Sequence, residues 1–179
     1  FLPDNEWVAS GGGDKKLIVR NRNPGDIKHT FEHDDEVRTC AFSPDDEWGA
    51  SGGGWDNKVI VRNLKTGDIK HTFEHDGGVT TCAFSPDNEW VASGGGEKKL
   101  VVRRVRTGDI IHTVEHDDEV RTCAFSPDNE WVASGGGWYN KATGRNRMNG
   151  YIKAALEHDG GVTTCAFSTE HEWVATGGG

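Results

Sequence analysis

The chain repeats itself every 41 or 42 residues. One cysteine marks each unit, at Cys40, Cys82, Cys123 and Cys165. A tryptophan marks the same period, at Trp7, Trp48, Trp90, Trp131 and Trp173. Agreement is strongest two units apart, since residues 31–55 and 114–138 are identical at 22 of 25 positions. Such a chain must stack equal units side by side, because one unit of this length cannot bury a hydrophobic face alone.

Each unit has the pattern of four short strands. In the unit that contains Cys40, runs with β-branched and aromatic residues span 37–42, 48–51, 58–62 and 68–73. Turn sequences separate them, among them Ser43-Pro44-Asp45 and the triple glycine at 52–54. Four short strands in roughly 40–45 residues is the period of a β-propeller blade. The sequence therefore predicts an all-β fold of four-stranded antiparallel sheets.

One unit also carries a family pattern in register. It consists of His33, Val37, Phe42-Ser43-Pro44-Asp45, Ala50-Ser51-Gly52 and Asp56. The chain thereby resembles the WD-repeat β-propeller family over its whole length. We expect about four blades plus partial strands. Because the sequence stops inside a repeat, we also expect it to be a fragment of a larger ring. The expected division is a partial blade at 1–32, blades at 33–74, 75–115 and 116–157, and a partial blade at 158–179.

The dipeptide that names this family is replaced. Arginine stands at the family's tryptophan position, at Arg20, Arg62, Arg103 and Arg145. In the family, that tryptophan joins a buried network with a serine, a histidine and an acid. We expect the same network here from Ser10, Asp14, Arg20, His33, Ser51, Asp56, Arg62, His75, Ser93, Glu97, Arg103, His116, Ser134, Arg145 and His158.

The arginines suggest a substitute contact. An acid precedes the arginine by six residues in Asp14–Arg20, Asp56–Arg62 and Glu97–Arg103. We expect each pair to form an ion pair across its hairpin, because a buried guanidinium needs an acceptor. The fourth unit lacks the acid, since Tyr139 takes its place, and Gly144 weakens the following strand.

Three sequence patterns resemble those of chemical sites, and each also has a structural explanation. Ser51, His33 and Asp56 are the residue types of a nucleophilic triad, but the trio recurs in successive units, which favours a structural role. The acidic loops lack the alternating ligands of a calcium loop. The glycines lack the Gly-Lys-Ser/Thr sequence and the helix of a phosphate loop. We therefore expect no catalytic site, no metal and no cofactor.

Charge and composition limit the kinds of partner and the cellular location that we expect for this chain. The net charge of −9 disfavours nucleic acid, whose phosphates attract a basic face. No apolar run approaches the roughly 20 residues of a membrane span, so we expect no membrane insertion. The single cysteines show no Cys-x-x-Cys pair, and we expect buried, reduced thiols in a cytoplasmic protein.

These observations predict a non-enzymatic protein-interaction scaffold that presents repeated acidic loops. The candidate partner surface is Asp34, Asp35, Glu36, Trp55, Asp117, Asp118, Glu119 and Trp138. Its partner would be a protein with a basic or mixed face. Assembly with further blades or with another chain is possible. The alternative is a propeller that binds carbohydrates or other small ligands at several sites, through the tryptophan repeated at the start of each second strand.

Overall fold

The computed structural model describes residues 7–21, 23, 25–137, 141–146, 152–168 and 174–178. Within these residues all the regular structure is β, in 17 strands and five antiparallel sheets. The all-β propeller fold predicted from the sequence is confirmed. We number the sheets 1 to 5 in chain order.

The strand bounds show the repeat directly. Sheet 1 contains β1 (Trp7–Gly11), β2 (Lys16–Asn21) and β3 (Ile27–Glu32). Sheet 2 contains β4 (Val37–Phe42), β5 (Trp48–Gly53), β6 (Lys58–Asn63) and β7 (Ile69–Glu74). Sheet 3 contains β8 (Val79–Phe84), β9 (Trp90–Gly95), β10 (Lys99–Arg104) and β11 (Ile110–Glu115). Sheet 4 contains β12 (Thr122–Phe125), β13 (Trp131–Gly136), β14 (Lys141–Asn146) and β15 (Ile152–Glu157). Sheet 5 contains β16 (Val162–Phe167) and β17 (Val174–Gly178). The strand that contains Gly144 is therefore formed.

The turn between the first two strands of a sheet follows from its sequence. The Ser43 hydroxyl donates to Asp45 Oδ1 at 2.5 Å and accepts the Trp48 N–H at 2.9 Å. Asp46 adopts a φ of +58°, which aspartate and asparagine tolerate better than most residues. In sheet 3 the corresponding residue is Asn88, and its side-chain oxygen accepts the Asp45 N–H at 3.1 Å. The turn thus also joins two neighbouring sheets.

The hydrophobic core lies between the sheets. The inner strands β4, β8, β12 and β16 contact one another in order. Between sheets 2 and 3, Val59, Val61 and Phe73 pack against Val79 and other residues of the next sheet. Equivalent clusters lie between sheets 1 and 2 and between sheets 3 and 4. This is the radial stacking that the repeat predicts.

The triple glycine is only partly a turn. Gly52 and Gly53 belong to β5, whereas the sequence pattern predicts that this strand ends at Ser51. A Cβ atom on Gly52 would lie 2.7 Å from Val79 Cγ1 and 2.9 Å from Thr39 Cγ2. Glycine is required at this position of the strand, because Val79 of the next inner strand occupies the space that a side chain would need.

We expect Gly52→Ala to lower the free energy of unfolding by about 1–3 kcal/mol through overpacking. Gly12→Ala is the matched control, because nothing lies within 4 Å of a Cβ atom at that position. Urea titration followed by tryptophan fluorescence measures both variants. Equal losses of stability would contradict this explanation.

Candidate interaction surface

An exposed tryptophan occupies the turn between β5 and β6. The Trp55 side chain is 84% exposed. Its backbone N–H donates to Asp35 Oδ2 at 2.7 Å. Trp55 is also a one-residue insertion, because in sheet 3 the acid Glu97 follows the triple glycine directly. The backbone is thus held in place while the indole faces solvent.

The carboxylates beside Trp55 lie in the loop that joins β3 to β4. Asp34 Oδ2 accepts a hydrogen bond from Lys58 Nζ at 2.8 Å, which lowers the pKa of Asp34. The backbone N–H groups of Trp55 and Glu36 lower the pKa of Asp35. These two carboxylates are therefore ionised at neutral pH. We call Asp34, Asp35, Glu36 and Trp55 the Trp55 surface.

A second copy of the acidic loop precedes β12. It contains Asp117, Asp118 and Glu119. Glu119 Oε2 lies 3.3 Å from Arg121 Nε, as Glu36 pairs with Arg38 in the first copy. Lys98 Nζ donates to the backbone oxygen of Asp117 at 3.2 Å. The second predicted turn tryptophan, Trp138, lies outside the described residues.

Beneath these loops, each of four histidines meets a hydroxyl through Nε2. The distances are 2.8 Å for His33–Ser51, 2.9 Å for His75–Ser93, 2.8 Å for His116–Ser134 and 2.6 Å for His158–Thr176. In sheet 1, Ser10, Asp14 and Arg20 are exposed, and the described residues show no hydrogen bond or ion pair among these three.

The acid of this network differs between sheets. In sheet 3, Glu97 Oε1 contacts His75 Nδ1 directly, and Glu97 Oε2 accepts the Asp76 N–H at 3.0 Å. In sheet 2, the shorter Asp56 leaves Oδ2 at 3.8 Å from His33 Nδ1. Burial outweighs the nearby carboxylate and lowers the pKa of His33. The buried histidine of sheet 2 is thereby kept neutral at physiological pH.

The ion pairs predicted for Asp56–Arg62 and Glu97–Arg103 are wrong, and the pair Asp14–Arg20 is not formed either. Among the described residues, no ion pair within 4.0 Å joins these partners. The reason is the register of the hairpin. Arg62 pairs with Gly49 at the far end of β5, whereas Asp56 lies in the turn. Tyr139, predicted to replace the acid in sheet 4, lies outside the described residues.

Arg62 and Arg103 instead lie over phenylalanine rings of the preceding sheet. Arg62 Cζ lies 4.8 Å from the ring centre of Phe31, and Arg103 Cζ lies 4.5 Å from that of Phe73. A histidine stacks on the same phenylalanine, with ring centres of His71 and Phe73 5.3 Å apart. The arginine thus joins adjacent sheets by a cation–π contact. The His-Thr-Phe sequence that recurs at 29–31 and 71–73 is the signal that could have pointed to it.

The four cysteines are free and lie on the inner strands. Cys82 and Cys165 are buried, and Cys40 and Cys123 are half-buried. Burial raises the pKa of Cys82 to about 12, so its thiolate is scarce at neutral pH. Thr39 Oγ1 of the preceding sheet lies 3.4 Å from Cys82 Sγ.

We expect an aqueous thiol reagent at pH 7.5 to modify Cys82 in native protein at least 100-fold more slowly than in urea-unfolded protein. Peptide mass spectrometry of timed samples measures each cysteine separately. Comparable native and unfolded rates for Cys82 would contradict its placement.

The buried network offers little room for chemistry on a substrate. Ser51 is 1% exposed and His33 is 7% exposed, so a substrate cannot reach the hydroxyl in this arrangement. Groups of three or more side chains suited to hold a metal ion are absent from the described part of the chain. The described residues contain no helix that is long and apolar enough to cross a membrane.

A family model of WD repeats, described as "WD domain, G-beta repeat", matches four segments of the chain. The matched residues are 25–63, 67–102, 108–141 and 150–179. Each segment begins just before the outermost strand of one sheet and continues into the next. A comparison with curated proteins found no match. The matched segments cover well over half of the chain, which therefore belongs to the WD-repeat family.

Proposed function

We propose that this chain is a non-enzymatic scaffold that binds a partner protein through the Trp55 surface. WD repeats generally mediate protein interactions and scaffolding. The observation that carries the finer proposal is the inserted tryptophan, 84% exposed and held by Asp35. Tryptophan is enriched among the residues that dominate binding energy, and an exposed indole gains most from burial against a partner.

The charge of the surface indicates the partner. Asp34, Asp35 and Glu36 lie in the loop that holds the Trp55 backbone, and the same acids recur at 117–119. A protein with a basic or mixed face complements them, and opposite charge speeds association. The four free thiols support an intracellular, reducing location.

The alternative is carbohydrate or small-ligand binding by the tryptophans of the second strands. Trp90 is 2% exposed, and Lys70 Nζ lies 4.3 Å above the ring of Trp48. A sugar that stacks on Trp48 must therefore displace a lysine. The geometry favours the exposed Trp55 as the binding tryptophan.

Selection of peptides from a displayed random library tests the proposal. We expect lysine- and arginine-rich peptides that contain one apolar residue. Trp55→Ala should weaken their binding by about 30-fold or more, the effect of a 2 kcal/mol hot spot. The same substitution should leave the unfolding free energy within about 0.5 kcal/mol of wild type, because the side chain is exposed.

Asp34→Asn and Asp35→Asn should weaken binding less and reduce its salt dependence. Equal affinity of wild type and Trp55→Ala for every selected peptide would refute the proposal. Saturable quenching of tryptophan fluorescence by a simple sugar, unchanged in Trp55→Ala, would favour the carbohydrate alternative.

A further inference from the structure

A cleft of about 330 Å³ opens between sheets 2 and 3, at the other end of β5 from Trp55. The six residues of this strand separate the two ends by about 17–20 Å at 3.3 Å per residue. Trp48 lines the cleft, and it is half-buried. A second cleft of about 300 Å³ adjoins the first, because Trp48 and Lys70 line both. Together they form a groove that passes Trp48.

The repeat changes its sequence at this groove. In sheets 1 and 2 the third strand ends at an asparagine that caps the following turn. Asn63 Oδ1, for example, accepts the N–H groups of Lys65 and Thr66 at 2.9 and 3.0 Å. In sheet 3 this position is Arg104, which cannot accept a hydrogen bond, and Arg106 follows two residues later. The exchange removes a cap and places two cations beside the groove.

Charge is separated across the groove. Glu47 and Glu89 follow the turns of the inner strands, and both are exposed. Arg104, Arg106 and Lys70 belong to the outer part of sheets 2 and 3. Within the described residues, none of these five side chains has an ion-pair partner within 4.0 Å. In the first cleft the glutamates therefore face Lys70, Arg104 and Arg106 across Trp48. In the second cleft Asp68 adds a carboxylate beside Lys70.

We propose that this groove binds a short peptide segment of a partner protein, in which an acidic and a basic side chain flank an apolar one. The apolar side chain packs against Ile69, which is 53% exposed, and takes the place of Lys70 above the ring of Trp48. The acidic side chain pairs with Arg104 and Arg106, and the basic one pairs with the two glutamates. Charge complementarity selects such a segment over a uniformly charged one.

The probe is a five-residue peptide, blocked at both termini, with glutamate at one end, leucine in the centre and lysine at the other end. Two-dimensional amide NMR of the isotope-labelled chain detects its binding. We expect concentration-dependent shifts at Trp48, Lys70, Asn88 and Arg106. Peptides with glutamate at both ends, or with lysine at both ends, should bind at least tenfold more weakly.

Arg106→Glu should weaken binding of the probe at least tenfold, whereas Lys65→Glu should not. Lys65 holds the equivalent position in the turn of sheet 2 and lines neither cleft. Both side chains are exposed, so both variants should fold. Trp55→Ala should leave this binding unchanged, which separates the groove from the Trp55 surface. Equal binding of all three peptides, equal effects of the two charge reversals, or no shifts at millimolar peptide would overturn the proposal.

Discussion

Replacing Phe73 with alanine is expected to lower the free energy of unfolding by about 3–5 kcal/mol. The ring is 6% exposed and belongs to the core between sheets 2 and 3. Its loss removes buried apolar area and also the ring on which Arg103 and His71 lie. Chemical denaturation followed by circular dichroism measures the change.

The chain itself offers a milder variant. The residue that corresponds to Phe73 in sheet 3 is Val114, which is buried without an aromatic ring. Phe73→Val should therefore cost less than Phe73→Ala, because it keeps part of the apolar volume.

A double-mutant cycle with Arg103→Met isolates the cation–π contact from the packing. The coupling energy should be about 0.5–2 kcal/mol, the range for exposed to desolvated pairs. A coupling near zero would show that the guanidinium contributes only its aliphatic stem.

The repeat predicted the fold well because the signals that define a blade are local. The Ser-Pro-Asp turn forms its own hydrogen bonds within six residues, from Ser43 to Trp48. The 18-residue spacing between His33 and Ser51 recurs in the other units, and the structure joins the pairs. The exposure of Trp55 was also predictable, since a tryptophan follows the triple glycine only in alternate units and lies in a turn.

The partner of the arginine was not predictable in the same way. A spacing of six residues places two side chains across a hairpin only when the turn is midway between them, near residue 59. The turn instead ends before β6 begins at Lys58. The true partner of Arg62 is Phe31, which is 31 residues away in another sheet. No local sequence pattern predicts such a contact, because the contact depends on how the sheets stack.

Loss of His75 is expected to be the most damaging change in the polar network, at about 3–5 kcal/mol for His75→Ala. The side chains of His75 and Glu97 are 1% and 7% exposed. Without the imidazole, the Glu97 carboxylate retains the Asp76 N–H but loses the contact at Oε1, and Ser93 loses its partner. An acceptor left buried without its donor costs more than the hydrogen bond itself contributed.

His33→Ala in sheet 2 is the matched control. Asp56 lies 3.8 Å from His33 and accepts the Lys58 N–H at 3.2 Å, so it depends less on the imidazole. We expect a loss about 1–2 kcal/mol smaller than for His75→Ala, because only Ser51 loses a close partner. The double variant His75→Leu/Glu97→Met should recover much of the stability, since it removes donor and acceptor together. If His33→Ala proved as costly as His75→Ala, and the double variant no better than the single one, the histidines would act through packing alone. The length of the acid would then be irrelevant to stability.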